Sequence, residues 1–146
     1  EDLHGRPFIG PAGQLLMEML QKTGLPREEL YVTNAVKHFR FVQRGKKRIH
    51  QPPDARNIIA CKPGLQTEIK LVRPKVIVAL GATAGRALIH HGFALKHDQH
   101  KDFFFDGIPV YATWHPSAAL RATQPQPRAD IERHILETLK RAIRFR

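Results

Sequence analysis

Residues 76–80, Val-Ile-Val-Ala-Leu, constrain the fold more than any other segment of this 146-residue chain. The run is continuous and apolar, which is typical of a parallel strand that is buried on both faces of a sheet. Gly81 follows directly, and residues 82–90 then predict a helix. Because a strand followed by a helix usually returns to the same sheet by a right-handed crossover, this segment favours an α/β fold.

Hydrophobic periodicity along the rest of the chain predicts further elements. Helices are expected over residues 11–23, 54–72 and 128–143, and strands over 30–36, 103–105 and 110–112, with a long loop at 37–53. Asp54 is a suitable N-cap, whereas Pro63 predicts that its helix is kinked or begins late. We therefore predict one domain over residues 1–146, a three-layer αβα sandwich around a central, mainly parallel sheet.

Polar and small residues follow the predicted strands where each strand ends. They are Asn34, the segment 81–83 and the Trp-His-Pro-Ser segment 114–117. Ligands of open α/β sheets bind beyond the carboxyl ends of the strands. These three segments are therefore expected to converge on one site.

The charge of the chain points to a polyanionic partner. The formal net charge is +11 and the isoelectric point is near 10.4. No acidic residue occurs between Leu30 and Pro53, a stretch that contains six lysines and arginines together with Phe39 and Phe41. Such a stretch suits a surface that contacts phosphates and bases, although an ordinary solvated face stays open as an alternative.

Composition also bears on the setting of the protein. No apolar run approaches the roughly 20 residues needed to span a bilayer, so membrane insertion is not expected. The single cysteine, Cys61, cannot form an internal disulfide, which fits a reducing, cytoplasmic location.

Four motifs occur in a fixed order along nearly the whole chain. They are Gly-Arg-Pro-Phe-Ile-Gly-Pro-Ala-Gly at 5–13, Tyr-Val-Thr-Asn-Ala-Val-Lys at 31–37, Val-Ala-Leu-Gly-Ala-Thr-Ala at 78–84 and His-Pro-Ser at 115–117. Together they resemble the successive motifs of the iron–sulfur uracil-DNA glycosylases. The loop at 45–50, Gly-Lys-Lys-Arg-Ile-His, resembles the insertion of the UdgX group, which becomes covalently attached to uracil-containing DNA.

The resemblance implies roles in base excision and DNA repair for three residues of these motifs. Phe8 would stack on an extruded uracil, and the amide of Asn34 would bind the O4 and N3–H edge of the base. His115 would donate to uracil O2 as negative charge develops there. Ser117 and Arg121 are expected to contact DNA.

His50 is the candidate nucleophile that the UdgX resemblance implies. Its imidazole would capture C1′ of the deoxyribose after uracil departs, while Lys46, Lys47 and Arg48 hold phosphates. The alternative is that His50 belongs to a generic basic loop that binds nucleic acid.

The resemblance also implies a [4Fe–4S] cluster, for which Cys61 and His38 are the candidate ligands in this chain. The remaining ligands are expected upstream, because a Cys-x-x-Cys pair and a first strand ending in Gly-Glu-x-Pro-Gly are not found here. We expect the parent protein to be longer, monomeric and directed to uracil-containing, single-stranded DNA.

Three other functions compete with the covalent reading. An ordinary turning-over uracil-DNA glycosylase would release uracil without trapping DNA, and a non-catalytic nucleic-acid-binding module would release none. A nucleotide-binding α/β domain is suggested by Gly81-x-x-x-Gly85 after a strand. That spacing differs from Gly-x-Gly-x-x-Gly, and no Walker-type lysine accompanies it.

Overall fold

The computed structural model describes residues 7–38 and 41–145, except for the side chains of Arg48 and His50. Its helices are α1 Pro11–Thr23, α2 Ala55–Val72, α3 Gly81–Leu88, α4 Leu95–Asp98, α5 Pro116–Arg121 and α6 Pro125–Ile143, with a 3-10 turn at Arg27–Glu29. Its strands are β1 Phe41–Arg44, β2 Lys47–His50, β3 Ile77–Leu80, β4 Phe103–Phe105 and β5 Ile108–Thr113.

The larger of two sheets has the strand order β3-β5-β4. β3 pairs with β5 in parallel, with Leu80 opposite Thr113, so both strands end at the same edge. β4 pairs with β5 in antiparallel fashion around the Asp106-Gly107 turn, where both residues have positive φ as a tight hairpin requires. The predicted strand at 76–80 and the predicted hairpin are confirmed.

Helices cover both faces of this sheet. Buried residues of α2 and α3, such as Leu65 and Ala87, pack with Ala79 and Ala112 in one core cluster. A second cluster joins α1, α5 and α6, and Val78 and Leu80 pack against it. Because successive residues of a strand face opposite sides, this alternation along β3 places helices above and below it. The predicted three-layer α/β architecture is thus confirmed.

The predicted helices form largely where the sequence placed them. Gly24 ends α1 in the left-handed conformation, and Asp54 caps α2 through a reciprocal pair of 3.0 Å hydrogen bonds with Asn57. The late start suggested by Pro63 is wrong, because α2 begins at Ala55 and includes the proline. The strength of the Asp54 capping box at the N-terminus accounts for the early start.

The predicted strand at 30–36 is wrong. Residues 30–36 and β3 line the same cleft, so the open space of the cleft lies where a pairing strand would be needed. A strand needs a hydrogen-bonded neighbour, and local β propensity cannot supply one.

The predicted long loop at 37–53 is wrong for its central part. β1 and β2 form an antiparallel hairpin, closed by a two-residue turn at Gly45-Lys46 in which Gly45 has φ of 60°. Glycine at the first turn position suits the twist of a two-residue hairpin. The loop predicted at 114–117 likewise ends early, because α5 begins at Pro116.

Across the described part of the chain, none of the helices combines the length and the apolar character that crossing a bilayer would require.

Candidate active site

A cleft of about 1270 Å³ runs along the edge of β3 and extends past its carboxyl end to the residues that follow β3 and β5. Leu80 and Thr113, which end the two strands, are paired, so the residues that follow them start from neighbouring points. Gly81, His115 and Ser117 line the cleft from this side, and Phe8 and Asn34 line it as well. The structure therefore brings together the strand-end segments that the sequence singled out.

His115 has a defined orientation because it is the N-cap of α5. The backbone N–H of Ser117 donates to His115 Nδ1 at 3.2 Å. An acceptor nitrogen carries no proton, so the proton of the neutral ring lies on Nε2. The cap thus selects the tautomer in which Nε2 is a hydrogen-bond donor.

A series of hydrogen bonds between side chains starts at the same nitrogen. Ser117 Oγ lies 2.8 Å from His115 Nδ1, and Arg121 Nη1 donates to Ser117 Oγ at 2.9 Å. With the arginine as donor, the serine hydroxyl is free to donate toward the imidazole. Arg121 is exposed, whereas His115 and Ser117 are half-buried. This series of hydrogen bonds therefore connects the cleft to the protein surface.

Gly81 allows His115 to approach β3 closely. Its φ is 86°, and a Cβ at this position would lie 3.0 Å from His115 Cβ. Only glycine combines that backbone conformation with that contact at little cost. The last residue of the Val-Ala-Leu-Gly motif is therefore needed by the geometry of the site.

Phe8 lies against His115 with ring centroids 5.4 Å apart and an interplanar angle of 24°. Its φ of 59° is uncommon for a residue with a side chain. Gly13 supports this conformation, because a Cβ there would come within 1.7 Å of the Phe8 carbonyl oxygen. The glycine-rich motif thus places an aromatic ring at the mouth of the cleft, next to a tethered imidazole.

Asn34 is half-buried between two residues that anchor its segment. Lys37 Nζ forms an ion pair with Glu68 Oε1 of α2 at 2.7 Å and also hydrogen-bonds to Thr33 Oγ1. This ion pair ties the segment around Asn34 to a long helix. Glu68 carries no sequence signal of this role, because nothing in the periodicity of α2 distinguishes it from other charged helix residues.

The hairpin carries the predicted DNA-contacting lysines. Lys46 and Lys47 are exposed, at the turn and at the start of β2. The backbones of Arg48 and His50 belong to β2, but the predicted roles of their side chains lie outside what the structure describes. The next residues, Gln51, Pro52 and Pro53, line the cleft, so β2 leads directly into the site.

The two candidate cluster ligands are placed differently. Cys61 is half-buried in α2, and His38 is exposed after the Asn34 segment. Over 7–38 and 41–145, no group of three or more histidine, cysteine or carboxylate side chains is arranged to hold a metal ion. The described residues therefore do not by themselves form a four-ligand site.

Comparisons with known proteins agree with this arrangement. The sequence model of the uracil DNA glycosylase superfamily matches residues 1–140. The chain is 34% identical over 148 residues to a type-4 uracil-DNA glycosylase of Thermotoga maritima, covering 99% of this chain and 71% of the relative. A type-4 enzyme of Pyrobaculum aerophilum is 32% identical over 143 residues, covering 92% of this chain and 68% of the relative.

A type-5 uracil-DNA glycosylase of Pyrobaculum aerophilum is also similar, with 35% identity over 131 residues, 77% of this chain and 54% of the relative. The superfamily match spans most of the chain, including every motif that lines the cleft. The chain belongs to the uracil-DNA glycosylase superfamily.

Proposed function

We propose that this protein excises uracil from DNA. The observation that carries the proposal is the tethered His115, whose Nδ1 accepts from Ser117 and whose neutral ring therefore donates through Nε2. Cleavage of the N-glycosidic bond moves its electron pair onto the uracil ring, so that charge develops at O2. A preorganised donor stabilises that charge more in the transition state than in the ground state.

Phe8 and Asn34 complete base recognition in this proposal. Extruding a base costs a few kcal/mol, part of which stacking on the Phe8 ring would recover. The amide of Asn34 offers an N–H donor to uracil O4 and a carbonyl acceptor to uracil N3–H. Cytosine presents the opposite pattern at these positions and would leave the hydrogen-bonding groups of the amide mismatched.

A single-turnover assay on a uracil-containing oligonucleotide tests this role of His115. His115→Leu is expected to slow uracil release by about 100-fold to 1000-fold, as loss of one preorganised oxyanion donor does. Phe104→Leu, at an exposed residue of β4 that does not line the cleft, is the control. Uracil release at the parental rate by His115→Leu would contradict the proposal.

We further propose that His50 captures C1′, as the resemblance to the UdgX group implies. In that step the C1′–N1 bond breaks, uracil leaves with the electron pair, and an imidazole nitrogen forms the new bond to C1′. The proposal is supported by the position of β2, whose last residue is His50 and whose continuation lines the cleft.

A denaturing gel distinguishes this covalent function from turnover. We expect a shifted band with uracil DNA that survives heat and detergent and is absent with His50→Ala or with thymine DNA. The relatives named type-4 uracil-DNA glycosylases favour the second candidate, ordinary turnover. Alkali-labile abasic DNA without a shifted band would establish that candidate. If neither the shifted band nor abasic DNA is observed, the protein is a non-catalytic binding module.

The same proposal assigns DNA backbone contacts to Lys46, Lys47, Arg48, Ser117 and Arg121. Among them, the lysines and Arg121 are exposed, and both Arg121 and the residues that directly follow β2 line the cleft. The substrate is proposed to be single-stranded DNA, bound by a monomer. Competition between single-stranded and duplex uracil oligonucleotides, with light scattering for mass, tests both statements.

We also propose that Cys61 and His38 provide two ligands of a [4Fe–4S] cluster whose other ligands lie outside this chain. A thiolate and an imidazole are suitable donors for such a cluster, which would supply a structural anchor for the adjoining segments. Iron and sulfide analysis of full-length protein tests the proposal. Cys61→Ser should lower the iron content, and unchanged iron would contradict it.

Finally, we propose that the domain is completed by a strand that lies outside this chain and pairs with β3. The support is the β3 edge that faces the cleft, because β5 is the one neighbour of β3 in the described sheet. Leu30, Val32, Ile77 and Val78 line the cleft there, together with Leu139 of α6. An apolar strand would bury these side chains and satisfy the open edge.

A further inference from the structure

The β1–β2 hairpin has one face that is half aliphatic and half cationic. Val42 is directly opposite Ile49, and Arg44 is directly opposite Lys47. Residues opposite each other, and residues two apart on one strand, lie on the same face of a hairpin. We call these four residues the Val42 face.

The apolar half of the Val42 face is open to solvent. Val42 and Ile49 are 48% and 40% exposed, and Arg44 and Lys47 are exposed as well. Two cross-strand β-branched side chains that stay this exposed contribute little to the free energy of folding. An exposed apolar pair of this kind is more readily explained by a partner than by stability.

Charge indicates the kind of partner. No acidic residue occurs between Leu30 and Pro53, so the cations of the Val42 face have no local counter-charge in the sequence. Positive side chains on the strands of a hairpin also oppose pairing with the edge of another protein's sheet. A nucleic acid offers both phosphates for the cations and base surfaces for the aliphatic pair.

The position of the hairpin indicates which bases are within reach. Gln51, which lines the cleft, is two residues from Ile49, and an extended chain covers that separation in at most about 7 Å. Stacked bases are about 3.4 Å apart along a strand. Ile49 is thus within about two base steps of a residue that borders the cleft, which puts the aliphatic pair beside the cleft.

We propose that Val42 and Ile49 form a wedge that packs on the base stack beside the extruded nucleotide, while Arg44 and Lys47 bind the flanking phosphates. This inference rests on the proposed function, since it assumes that a base is extruded into the cleft. It adds a contact that neither His50 nor the basic turn supplies, because aliphatic side chains cannot bind phosphate but can replace stacking.

Fluorescence tests the wedge directly. Full-length protein is mixed with an oligonucleotide that carries 2-aminopurine next to a non-cleavable 2′-fluoro-deoxyuridine. Binding of the unmutated protein should raise 2-aminopurine emission as the base is unstacked. The double variant Val42→Thr/Ile49→Thr, which keeps the β-branched shape, should lose that rise and bind about tenfold more weakly.

Salt dependence separates the two halves of the face. Val42→Thr/Ile49→Thr should leave the slope of log affinity against log salt unchanged, whereas Arg44→Gln/Lys47→Gln should reduce it by about 1.4. Phe104→Thr is the matched control, because Phe104 is a 66% exposed strand residue at the edge of the sheet opposite to β3. It should match the parent in both measurements.

Parental fluorescence and affinity in Val42→Thr/Ile49→Thr would overturn the wedge. Uracil release from a cleavable substrate is measured in parallel, so that the two proposals fail separately. Release by the parent without a fluorescence rise overturns the wedge alone. A rise that depends on Val42 and Ile49 supports the wedge even where no uracil is released, in which case excision is the proposal that fails.

Discussion

At the scale of single residues, the site depends on how one imidazole is held. His115 accepts a backbone N–H, contacts a hydroxyl and stacks near Phe8. Each contact fixes a different degree of freedom: the tautomer, the ring rotation and the position in the cleft. Ring orientation therefore depends on neighbours that would not themselves touch the reacting bond.

Ser117→Ala tests this dependence. The variant removes the hydroxyl that connects Arg121 to His115 but keeps the backbone N–H that caps the ring. We expect single-turnover uracil release to slow by about threefold to tenfold, the equivalent of one hydrogen bond. Ser117→Thr retains a hydroxyl and should stay near the parental rate. Equal rates for the two variants would contradict the role of the hydroxyl.

His134 gives the molecule a pH dependence away from the cleft. Its Nδ1 lies 3.0 Å from Oγ1 of the buried Thr113, and its pKa is lowered, first by burial and then by the neighbouring His100, against a smaller opposing effect of Glu137. A lowered folded-state pKa means that the unfolded chain binds more protons below the ordinary value of 6.5. The stabilising contribution is therefore full above that pH and is lost as the pH falls toward the folded-state pKa.

We expect the melting temperature to fall between pH 7.5 and pH 5, and to fall less in His134→Gln. Differential scanning calorimetry across that range measures both slopes. His97→Gln, on the short helix α4, is the control for general histidine titration. The same slope in the parent and in His134→Gln would contradict the assignment.

At the scale of elements, local signals decided what the sequence could predict. The Asp54 cap and the Asp106-Gly107 turn are each formed by contacts within a few residues, and the continuous apolar run of β3 marks a buried strand by itself. The structure contains all three. The strand predicted at 30–36 does not form, because a strand needs a hydrogen-bonded neighbour. The hairpin was missed because its alternation places cations next to aliphatics, a pattern that also describes a basic loop.

The site follows the same division. Motif order brought Phe8, Asn34 and His115 into consideration, and all three line one cleft. The hydrogen bond from Arg121 to Ser117 joins residues at a spacing that any helix offers, whereas the ion pair from Lys37 to Glu68 joins two separate elements, so both needed coordinates. Side-chain partners across elements carry no periodic signal.

The start of α1 offers a test at this scale. Gly13→Ala would place a Cβ within 1.7 Å of the Phe8 carbonyl oxygen, so either the helix or the Phe8 turn must move. We expect a loss of roughly 1–3 kcal/mol in unfolding free energy and a marked fall in uracil release. Chemical denaturation and the excision assay measure the two effects.

Gly64→Ala is the matched control within α2. A Cβ there meets nothing within 4 Å, so the change should stabilise the protein by up to about 1 kcal/mol through helix propensity alone. If Gly13→Ala changed the unfolding free energy as Gly64→Ala does, the close contact with Phe8 would not affect stability.

At the scale of the whole molecule, the edge of β3 that faces the cleft pairs with no strand among the described residues. The amides of β3 that point toward β5 are hydrogen-bonded, whereas alternate amides point toward the cleft. If a further strand completes the sheet, these alternate amides become protected only in the longer protein. Hydrogen exchange by NMR should thus show alternating protection along Ile77–Leu80 in this chain and uniform protection in the longer protein. The same alternating pattern in both would contradict completion of the sheet at this edge.

The dual position of His115, in the cleft and at the head of α5, has a practical consequence. Asparagine also caps helices well but lacks an imidazole, so His115→Asn should preserve the fold while removing the Nε2 donor. Cap-preserving replacements at this position provide a route to a reagent that recognises uracil in DNA and leaves the lesion intact, suitable for mapping where uracil accumulates.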